Sequence, residues 1–406
     1  MVHSEPERKM FSHSWHFGPQ EEMLEVRKRK NKLIIGIPLE TAFDENRVAL
    51  APEAAGLLIQ HGHQVLVQSR AGENSFFPDE SYAEAGCQVV YSAGEVYQAD
   101  IILKVAPVSD EEMGLVKSGQ VIFSTVALSM QKTDYFKALM RKKVTAVAFE
   151  LIRDKAKTFP LVQGMSEIAG NTSILIAAEY LSHKAYGKGR MFGGLSGVTP
   201  TEVVILGAGT VGESAVRTAM GLGAMVRVFD PSVYKLRRLQ NNLNARIFTS
   251  IIQPKVLLKS LKTADVVIGA LHSSYGRTPV VVSEKMVGEM KSGSVIVDVS
   301  IDQGGCVETS SVTTHSDPVF KKHGVTHYCV SNIASRVPNT ASYVFSNFFA
   351  PVLLTIGEEG GTENMLKRDP GVRKGVYMLN GTLTNHYIGE NFRLPCQDID
   401  LLMAAF

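Results

Sequence analysis

The residue pattern with the clearest chemical meaning is a glycine-rich loop of the form G-x-G-x-x-G, Gly207-Ala208-Gly209-Thr210-Val211-Gly212. It follows an apolar run at residues 202–206 and opens a helical pattern at residues 215–222. A loop of this kind, between a strand and a helix, binds the pyrophosphate of a dinucleotide. Gly207 permits the tight turn, Gly209 lets the backbone approach the phosphates, and Gly212 lets the helix lie close to the strand. The loop is therefore a candidate cofactor site.

Asp230 stands about twenty residues further on, at the end of the next apolar run, as the dinucleotide pattern requires. An acidic residue in this position accepts hydrogen bonds from the ribose hydroxyls and repels a 2′-phosphate, which favours NAD over NADP. Two other interpretations stay open. One is that the loop is a glycine-rich turn that binds nothing. The other is that Asp230 is an N-cap before Pro231.

Three charged residues elsewhere stand where strands are predicted to end. Arg47 comes shortly after one apolar run, Lys104 interrupts another, and Asp302 follows a third. Ligands of open α/β sheets bind at the carboxyl ends of the strands. Two cations and a carboxylate opposite a nicotinamide suit a small carboxylated substrate that undergoes hydride transfer. For Lys104, an alkyl stem at a strand edge with its charge in water is an equally good interpretation.

Two series of elements must position these residues. Short β-branched runs alternate with helical patterns between residues 33 and 123, and again between residues 202 and 298. This alternation predicts an α/β fold of two Rossmann-like domains, each a parallel sheet flanked by helices, with a cleft between them. Residues 167–186 predict a helix that joins the domains. The segment from residue 340 onwards is mostly helical in pattern, and we expect it to add no strand series and to pack on the first domain.

Composition excludes several classes of protein. The 406 residues carry 42 Lys and Arg against 40 Asp and Glu, a net charge of +2, so no basic field is available for nucleic acid. No apolar run approaches the roughly 20 residues that span a bilayer, and no export signal is recognised. The four cysteines are widely separated, which indicates reduced thiols in a cytoplasmic protein and no metal site. Residues 1–32 are polar and predict an extension outside both domains.

Several motifs in order along the chain resemble the alanine dehydrogenase family, which includes the NAD-binding subunit of nicotinamide nucleotide transhydrogenase. They are Gly36-Ile37-Pro38, Glu45-Asn46-Arg47-Val48-Ala49-Leu50, Leu103-Lys104-Val105, Met165-Ser166-Glu167-Ile168-Ala169-Gly170, the glycine loop, Ile301-Asp302-Gln303-Gly304-Gly305 and Val330-Ser331-Asn332. The resemblance covers residues 33 to the C-terminus. It implies that Arg47 and Lys104 hold the substrate carboxylate and polarise the carbonyl, that Lys104 and Asp302 are catalytic and that Asn332 lies beside substrate and nicotinamide. It also places Ser166 and Asp230 at the cofactor.

The activity implied by the resemblance is the reversible, NAD-dependent oxidative deamination of L-alanine to pyruvate and ammonia. It also implies a homo-oligomer, usually a hexamer, with small-molecule substrates and neither nucleic acid nor membrane as a partner. The predicted domains are a discontinuous substrate domain, residues 33–160 and 340–406, and an NAD-binding domain, residues 161–339. Two alternatives stay open: a dehydrogenase of another amino or 2-oxo acid, and a catalytically weak NAD-binding protein.

One departure from the family pattern motivates both alternatives, because the position of the family's catalytic His is occupied by Ala127. A methyl group cannot move a proton, and general acid–base catalysis contributes about 10²–10⁴-fold to rate. Other possible proton carriers are Tyr343 and the hydroxyls of Ser124, Thr125 and Ser129, whereas His272 is expected to be structural or near the cofactor. Arg336, an additional cation near the site, would take over carboxylate binding, select a larger acidic substrate or be an exposed side chain.

Overall fold

The computed structural model describes residues 31–273 and 276–404, so most of the predicted N-terminal extension lies outside the described residues. A first sheet contains eight strands: β1 (Ile34–Ile37), β2 (Gln64–Gln68), β3 (Gln88–Val90), β4 (Ile101–Leu103), β5 (Val121–Ser124), β6 (Thr145–Ala148), β14 (Val376–Leu379) and β15 (Thr382–Leu383). Their spatial order is β15-β14-β6-β5-β4-β1-β2-β3. The strands from β1 to β6 pair in parallel.

A second sheet contains seven strands: β7 (Glu202–Leu206), β8 (Met225–Phe229), β9 (Phe248–Ser250), β10 (Val266–Gly269), β11 (Val295–Asp298), β12 (Val319–Lys322) and β13 (Val325–Tyr328). Their order is β12-β13-β11-β10-β7-β8-β9, and only the edge pair β12–β13 is antiparallel. The central strands β10 and β11 are buried along their whole length. Burial on both faces explains why they read as unbroken apolar runs.

The prediction for the C-terminal segment was wrong in one respect. This segment is mostly helical, but β14 and β15 extend the first sheet, and β14 pairs antiparallel with β6. The four residues of β14 are all buried, so they show no alternation that would separate a strand from a buried helix. Both sheets are therefore mixed and mostly parallel, and the predicted α/β class of helix-flanked parallel sheets is confirmed.

Helices cover the sheets: α1 (Pro52–Gln60), α2 (Asp79–Glu84), α3 (Ala93–Val96), α4 (Asp110–Leu115), α5 (Thr133–Arg141), α6 (Pro160–Ser182), α7 (Thr210–Gly221), α8 (Val233–Leu243), α9 (Pro254–Leu261), α10 (Glu284–Gly288), α11 (Pro338–Glu358), α12 (Thr362–Arg368), α13 (Pro370–Arg373), α14 (His386–Phe392) and α15 (Ile399–Ala404). By length and composition alone α11 is apolar enough to cross a membrane, but half of its apolar stretch is buried. It packs on α1 and α6, as a core helix does.

The 23-residue helix α6 connects the two sheets and begins seven residues earlier than the helix predicted at 167–186. It lies against the start of α7, where a Cβ added to Gly170 would come within 2.3 Å of the carbonyl oxygen of Val211. Glycine at this position therefore permits the close approach of the two helices. This contact fixes the glycine loop relative to α6, and with it the relation of the nucleotide half to the first sheet. The predicted domain boundaries themselves stay a prediction.

Candidate active site

A cleft of about 310 Å³ lies between the two sheets, on the side where their parallel strands end. Its lining comes from both halves of the chain and includes Arg47, Thr125, Ser166, Val211, His272, Asp302 and Asn332. The fold thus brings together predicted residues that are far apart in sequence. In an open α/β fold this edge is where ligands bind.

Arg47 lies in the loop between β1 and α1, and Glu45 holds its guanidinium in two places. Nε donates to Glu45 Oε1 at 2.7 Å, and Nη2 donates to Glu45 Oε2 at 2.6 Å. The guanidinium carbon lies 5.4 Å from the ring centre of Phe345. This arrangement leaves Nη1, which contacts Met165 Sδ at 3.6 Å, as the nitrogen not bonded to Glu45. A fixed guanidinium of this kind can recognise a carboxylate without reorganising.

Asn332 links the two halves of the site. Its Nδ2 donates to Glu45 Oε2 at 3.1 Å, and its backbone N–H donates to Asp302 Oδ1 at 3.0 Å. The residue has a left-handed backbone with φ of 57°, which Asn tolerates better than most residues. Arg47, Glu45, Asn332 and Asp302 therefore form one hydrogen-bonded chain across the cleft. Glu45 was not singled out from the sequence, where its position two residues before Arg47 gave no sign of this pairing.

Asp302 lies in a single 3-10 turn, Val299–Gln303, directly after β11. Asp302 keeps part of its surface exposed at the cleft. Desolvation by the protein around its carboxyl group raises the pKa of that group, while the N–H of Asn332 and the charge of Arg47 oppose the rise. A carboxyl with a raised pKa is suited to exchange protons near neutral pH. This position agrees with the acid–base role that the sequence resemblance implies.

Asp298, the last residue of β11, determines the shape of the loop that carries Asp302. Its carboxylate accepts hydrogen bonds from the N–H groups of Ser300 and Cys306, at 3.1 and 3.0 Å, and from Ser310 Oγ at 2.7 Å. These bonds fold the loop back on itself. The thiol of Cys306 is fully buried and its pKa is raised by that burial, so it is a packing group rather than a reactive thiol.

Lys104 occupies a different position from the one expected of a substrate ligand. Its ammonium lies 2.8 Å from Glu112 Oε1 and 3.2 Å from Glu40 Oε2, with 1% of the side chain exposed, and it is not among the residues lining the cleft. Burial alone would lower the pKa of Lys104, but the charges of Glu40 and Glu112 outweigh it and the pKa is raised. The side chain is therefore a buried cation between two carboxylates, which excludes the interpretation of a charge held in water. The catalytic role of Lys104 stays a prediction.

The glycine loop has the geometry that its sequence predicts. Gly207 has φ of 116°, and an added Cβ would lie 2.2 Å from the carbonyl oxygen of Ala270. At Gly212 an added Cβ would lie 2.0 Å from the carbonyl oxygen of Gly207, whereas at Gly209 it would meet nothing within 4 Å. Gly207 and Gly212 are thus required by the fold itself. The open space at Gly209 is what a backbone that approaches a pyrophosphate needs.

The rest of the predicted cofactor site surrounds this loop. Helix α7 begins at Thr210, so its N-terminal N–H groups and positive dipole end lie at the loop. Val211 and Ser166 line the main cleft, and Thr210 lines a second, polar cavity beside it. These positions fit a bound dinucleotide that extends from α7 into the cleft.

Asp230 ends β8 as predicted, but its carboxylate is buried and bonded to the backbone. Oδ2 accepts from the N–H of Ala208 at 2.8 Å, and Oδ1 accepts from the N–H of Ser232 at 2.7 Å. The N-cap of α8 is Ser232 rather than Asp230. Asp230 therefore ties the glycine loop to the next strand, and a contact with ribose through its remaining lone pairs stays a prediction.

The position of Ala127 is half-buried and has a left-handed backbone, with φ of 44° and ψ of 56°. Of the possible proton carriers, Thr125 lines the cleft, and so does His272, which was expected to be structural or near the cofactor. Tyr343 donates to Glu53 at 3.0 Å and Ser124 donates to the carbonyl of Thr125 at 2.9 Å, and neither lines the cleft. The side chain of Ser129 lies outside the described part of the chain.

Arg336 does not contribute to the cleft. Its guanidinium donates to Glu179 at 2.7 Å and lies over the ring of Tyr328, 5.9 Å from its centre. The suggestion that this cation selects a larger acidic substrate therefore has no support in the structure. Arg336 is about 30% exposed, in keeping with the alternative of a surface side chain.

Comparison with known proteins identifies the family. Residues 36–169 match the N-terminal domain of the alanine dehydrogenase/PNT family, and residues 173–386 match its C-terminal domain. The chain belongs to the alanine dehydrogenase family. It is 37% identical to an alanine dehydrogenase of Staphylococcus saprophyticus, over 91% of this chain and 99% of that protein. It is 38% identical to an alanine dehydrogenase of Methanococcus maripaludis, over 89% of this chain and 97% of that one.

Solved structures agree with this family assignment. An L-alanine dehydrogenase superimposes with a TM-score of 0.83 and 34% identity, covering 89% of this chain and 99% of that one. A transhydrogenase from Sinorhizobium meliloti superimposes with a TM-score of 0.73 and 26% identity, covering 86% of this chain and 98% of that one. The resemblance read from the sequence is therefore confirmed at the level of family and fold.

Proposed function

We propose that this member of the alanine dehydrogenase family catalyses the reversible, NAD-dependent oxidative deamination of L-alanine to pyruvate and ammonia. The observation that carries the proposal is the hydrogen-bonded chain from Arg47 to Asp302, which faces a cleft beside the dinucleotide loop. The matches to two relatives named alanine dehydrogenase extend over 99% and 97% of the length of those proteins.

In the proposed reaction, each residue of the cleft has a separate role. Arg47 binds the substrate carboxylate through the guanidinium edge that Glu45 leaves free, and so orients the substrate Cα. Bound NAD supplies the acceptor for the hydride that leaves this carbon. Asp302 exchanges protons with the water that adds to the imine and with the departing ammonia. Asn332 keeps Asp302 and the Glu45–Arg47 pair in register.

The proposal also covers the cellular location and the oligomeric state of the enzyme. We place it in the cytoplasm as a homo-oligomer, with a hexamer as the expected assembly. Exposed apolar side chains on the 191–198 loop, Met191, Leu195 and Val198, are 58–62% exposed and available for contacts between copies. Light scattering coupled to size-exclusion chromatography measures this directly, and a monomer would contradict it.

A second candidate, a dehydrogenase of another amino or 2-oxo acid, is favoured by Ala127, because a methyl group leaves more room beside the substrate than an imidazole. The test is NADH oxidation with ammonia across a panel of 2-oxo acids, together with calorimetric titration of NAD. Turnover with pyruvate supports the main proposal. Turnover only with another acid supports the second candidate, and NAD binding without any turnover would contradict both.

Replacing Arg47 with Lys is expected to weaken pyruvate binding much more than it slows turnover. A lysine keeps the charge but loses the planar fork that bonds Glu45 and a carboxylate at once. Loss of one charge-assisted hydrogen bond costs about 1.5–3 kcal/mol, which corresponds to a KM for pyruvate raised roughly 10- to 150-fold. Steady-state kinetics measures the change, and the KM for NADH, which should not move, is the internal control. An unchanged KM for pyruvate would remove Arg47 from the substrate site.

A further inference from the structure

Glu150 is a half-buried acid in the cleft that the roles above do not use. It lies in the 3-10 turn Phe149–Leu151, directly after β6, and its side chain lines the same cleft as Arg47 and Asp302. The preceding residue, Phe149, packs edge-on against Phe345, the ring beneath the Arg47 guanidinium. The turn is thus held against the substrate side of the cleft.

The two carboxyl oxygens of Glu150 have different surroundings. Oε1 accepts a hydrogen bond from the N–H of Val126 at 2.8 Å. Oε2 is shielded from solvent and has no hydrogen-bond partner among the described residues. Buried polar atoms are usually paired, so Oε2 has the capacity for a further hydrogen bond beside the cleft.

The charge state of Glu150 suits proton exchange. Burial raises the pKa of the carboxyl group, and backbone N–H groups, including those of Val126 and Ala127, only oppose the rise. Two titratable groups on neighbouring elements interact with it, Tyr135 and Tyr377, whose own pKa values are raised, so both are neutral at physiological pH. Arg47 and Asp302 line the same cleft. No neighbouring cation among these groups holds Glu150 in its ionised form.

The carboxyl group of Glu150 lies next to the backbone of Ala127. Its carboxyl rests on the backbone of residues 126 and 127, the place from which the family's catalytic imidazole would extend. Support of the left-handed turn at Ala127 would account for the bond made by Oε1. It leaves Oε2 with the capacity for a further hydrogen bond.

We propose that Glu150 is a catalytic residue that exchanges a proton with the substrate oxygen, in place of the imidazole that this chain lacks at position 127. The proposal rests on the alanine dehydrogenase activity proposed above. In the deamination direction the step is the collapse of the carbinolamine. Its O–H bond breaks and the proton passes to the Glu150 carboxylate, while the electron pair forms the C=O bond of pyruvate. The C–N bond breaks, and nitrogen leaves as ammonia with a proton from Asp302.

The decisive variants are Glu150→Gln and Ala127→His, alone and combined. The Gln amide oxygen can still accept from Val126, so the turn persists while the proton is lost. We expect kcat for NADH oxidation with pyruvate and ammonia to fall on the order of 10²–10⁴-fold in the Gln variant. Fluorescence titration should show unchanged NADH binding. Histidine tolerates the left-handed backbone at position 127, so we expect the double variant to regain rate, while Ala127→His alone gains none.

Rescue by a residue at another position is a result that a merely structural Glu150 would not give. The pH dependence adds an independent readout, because the rescued double variant should show a limb near the imidazole pKa of about 6.5 that the wild type lacks. If Glu150→Gln fails to fold, the pH profiles of the wild type and of the single Ala127→His variant are compared in its place. A limb near the imidazole pKa in both of these proteins would then overturn the proposal.

The outcomes distinguish the role of Glu150 from the proposed alanine dehydrogenase activity on which it rests. If the wild type oxidises NADH with pyruvate and ammonia but Glu150→Gln does so equally fast, only the role of Glu150 is overturned. If the Gln variant is slow and histidine gives no rescue, Glu150 supports the turn and does not carry the proton. If the wild type turns over no 2-oxo acid at all, the activity itself is wrong, and the role of Glu150 is overturned with it.

Discussion

Replacing Asp302 with Asn is expected to lower kcat for pyruvate amination on the order of 10²–10⁴-fold, or about 2.7–5.4 kcal/mol of activation free energy. The asparagine side chain keeps an oxygen that can accept the Asn332 N–H, a bond of 3.0 Å in the wild type. The shape of the loop after β11 also persists, because Asp298 determines it. What is lost is the ability to take and return a proton, so the effect should appear in kcat.

The raised pKa of Asp302 predicts how stability and activity respond to pH. The folded protein holds this proton more tightly than the unfolded chain, whose carboxyl titrates near pH 3.9. The contribution of Asp302 to stability is therefore fully present below that pH and is lost as the pH rises through the folded-state pKa. At neutral pH the Asn variant should be as stable as the wild type or more stable, which urea unfolding measures. A large loss of stability at pH 7 would show that the fall in kcat reflects misfolding.

Replacing Lys104 with Met is expected to destabilise the protein by about 3–5 kcal/mol, the cost of leaving a buried ion pair without one partner. The ammonium lies within 3.2 Å of carboxylates on both sides, and their side chains are 5% and 8% exposed. Glu112 lies in the first turn of α4, in a capping box with Ser109, and Glu40 accepts the N–H of Val105 just after β4. Removing the cation leaves both acids uncompensated in a place that water hardly reaches. Urea unfolding at pH 7 measures the loss.

A matched triple variant, Lys104→Met with Glu40→Gln and Glu112→Gln, separates charge from packing. Without the two carboxylates the buried cluster is neutral, and most of the lost stability should return. The structural role predicts a triple variant that is stable and active, whereas the catalytic role that the resemblance assigns to Lys104 predicts one that is stable and inactive. A Lys104→Met protein of normal stability that fails to turn over would contradict the structural role and return Lys104 to the chemistry.

The features of the fold and site that could be predicted from the sequence are those that depend on residues close together in the chain. The glycine loop was predictable because its constraints are local: a positive φ at Gly207 and close approach at Gly212 restrict those residue types directly. The buried strands were predictable for a similar reason, since burial on both faces selects apolar β-branched residues. The four-residue strand β14 was not, because so short a buried run carries no period.

The sequence by itself determined the α/β class, the family, the dinucleotide loop and the placement of Asp302 at a strand end. Only the tertiary structure decided what the charged side chains do. It joined Glu45 to Asn332 across 287 residues, enclosed Lys104 between Glu40 and Glu112, turned Arg336 towards Glu179 and left Glu150 Oε2 unpaired beside the cleft. The physical reason is that backbone geometry is set by neighbours in the chain. The partner of a buried charge is set by whichever distant element the fold packs against it.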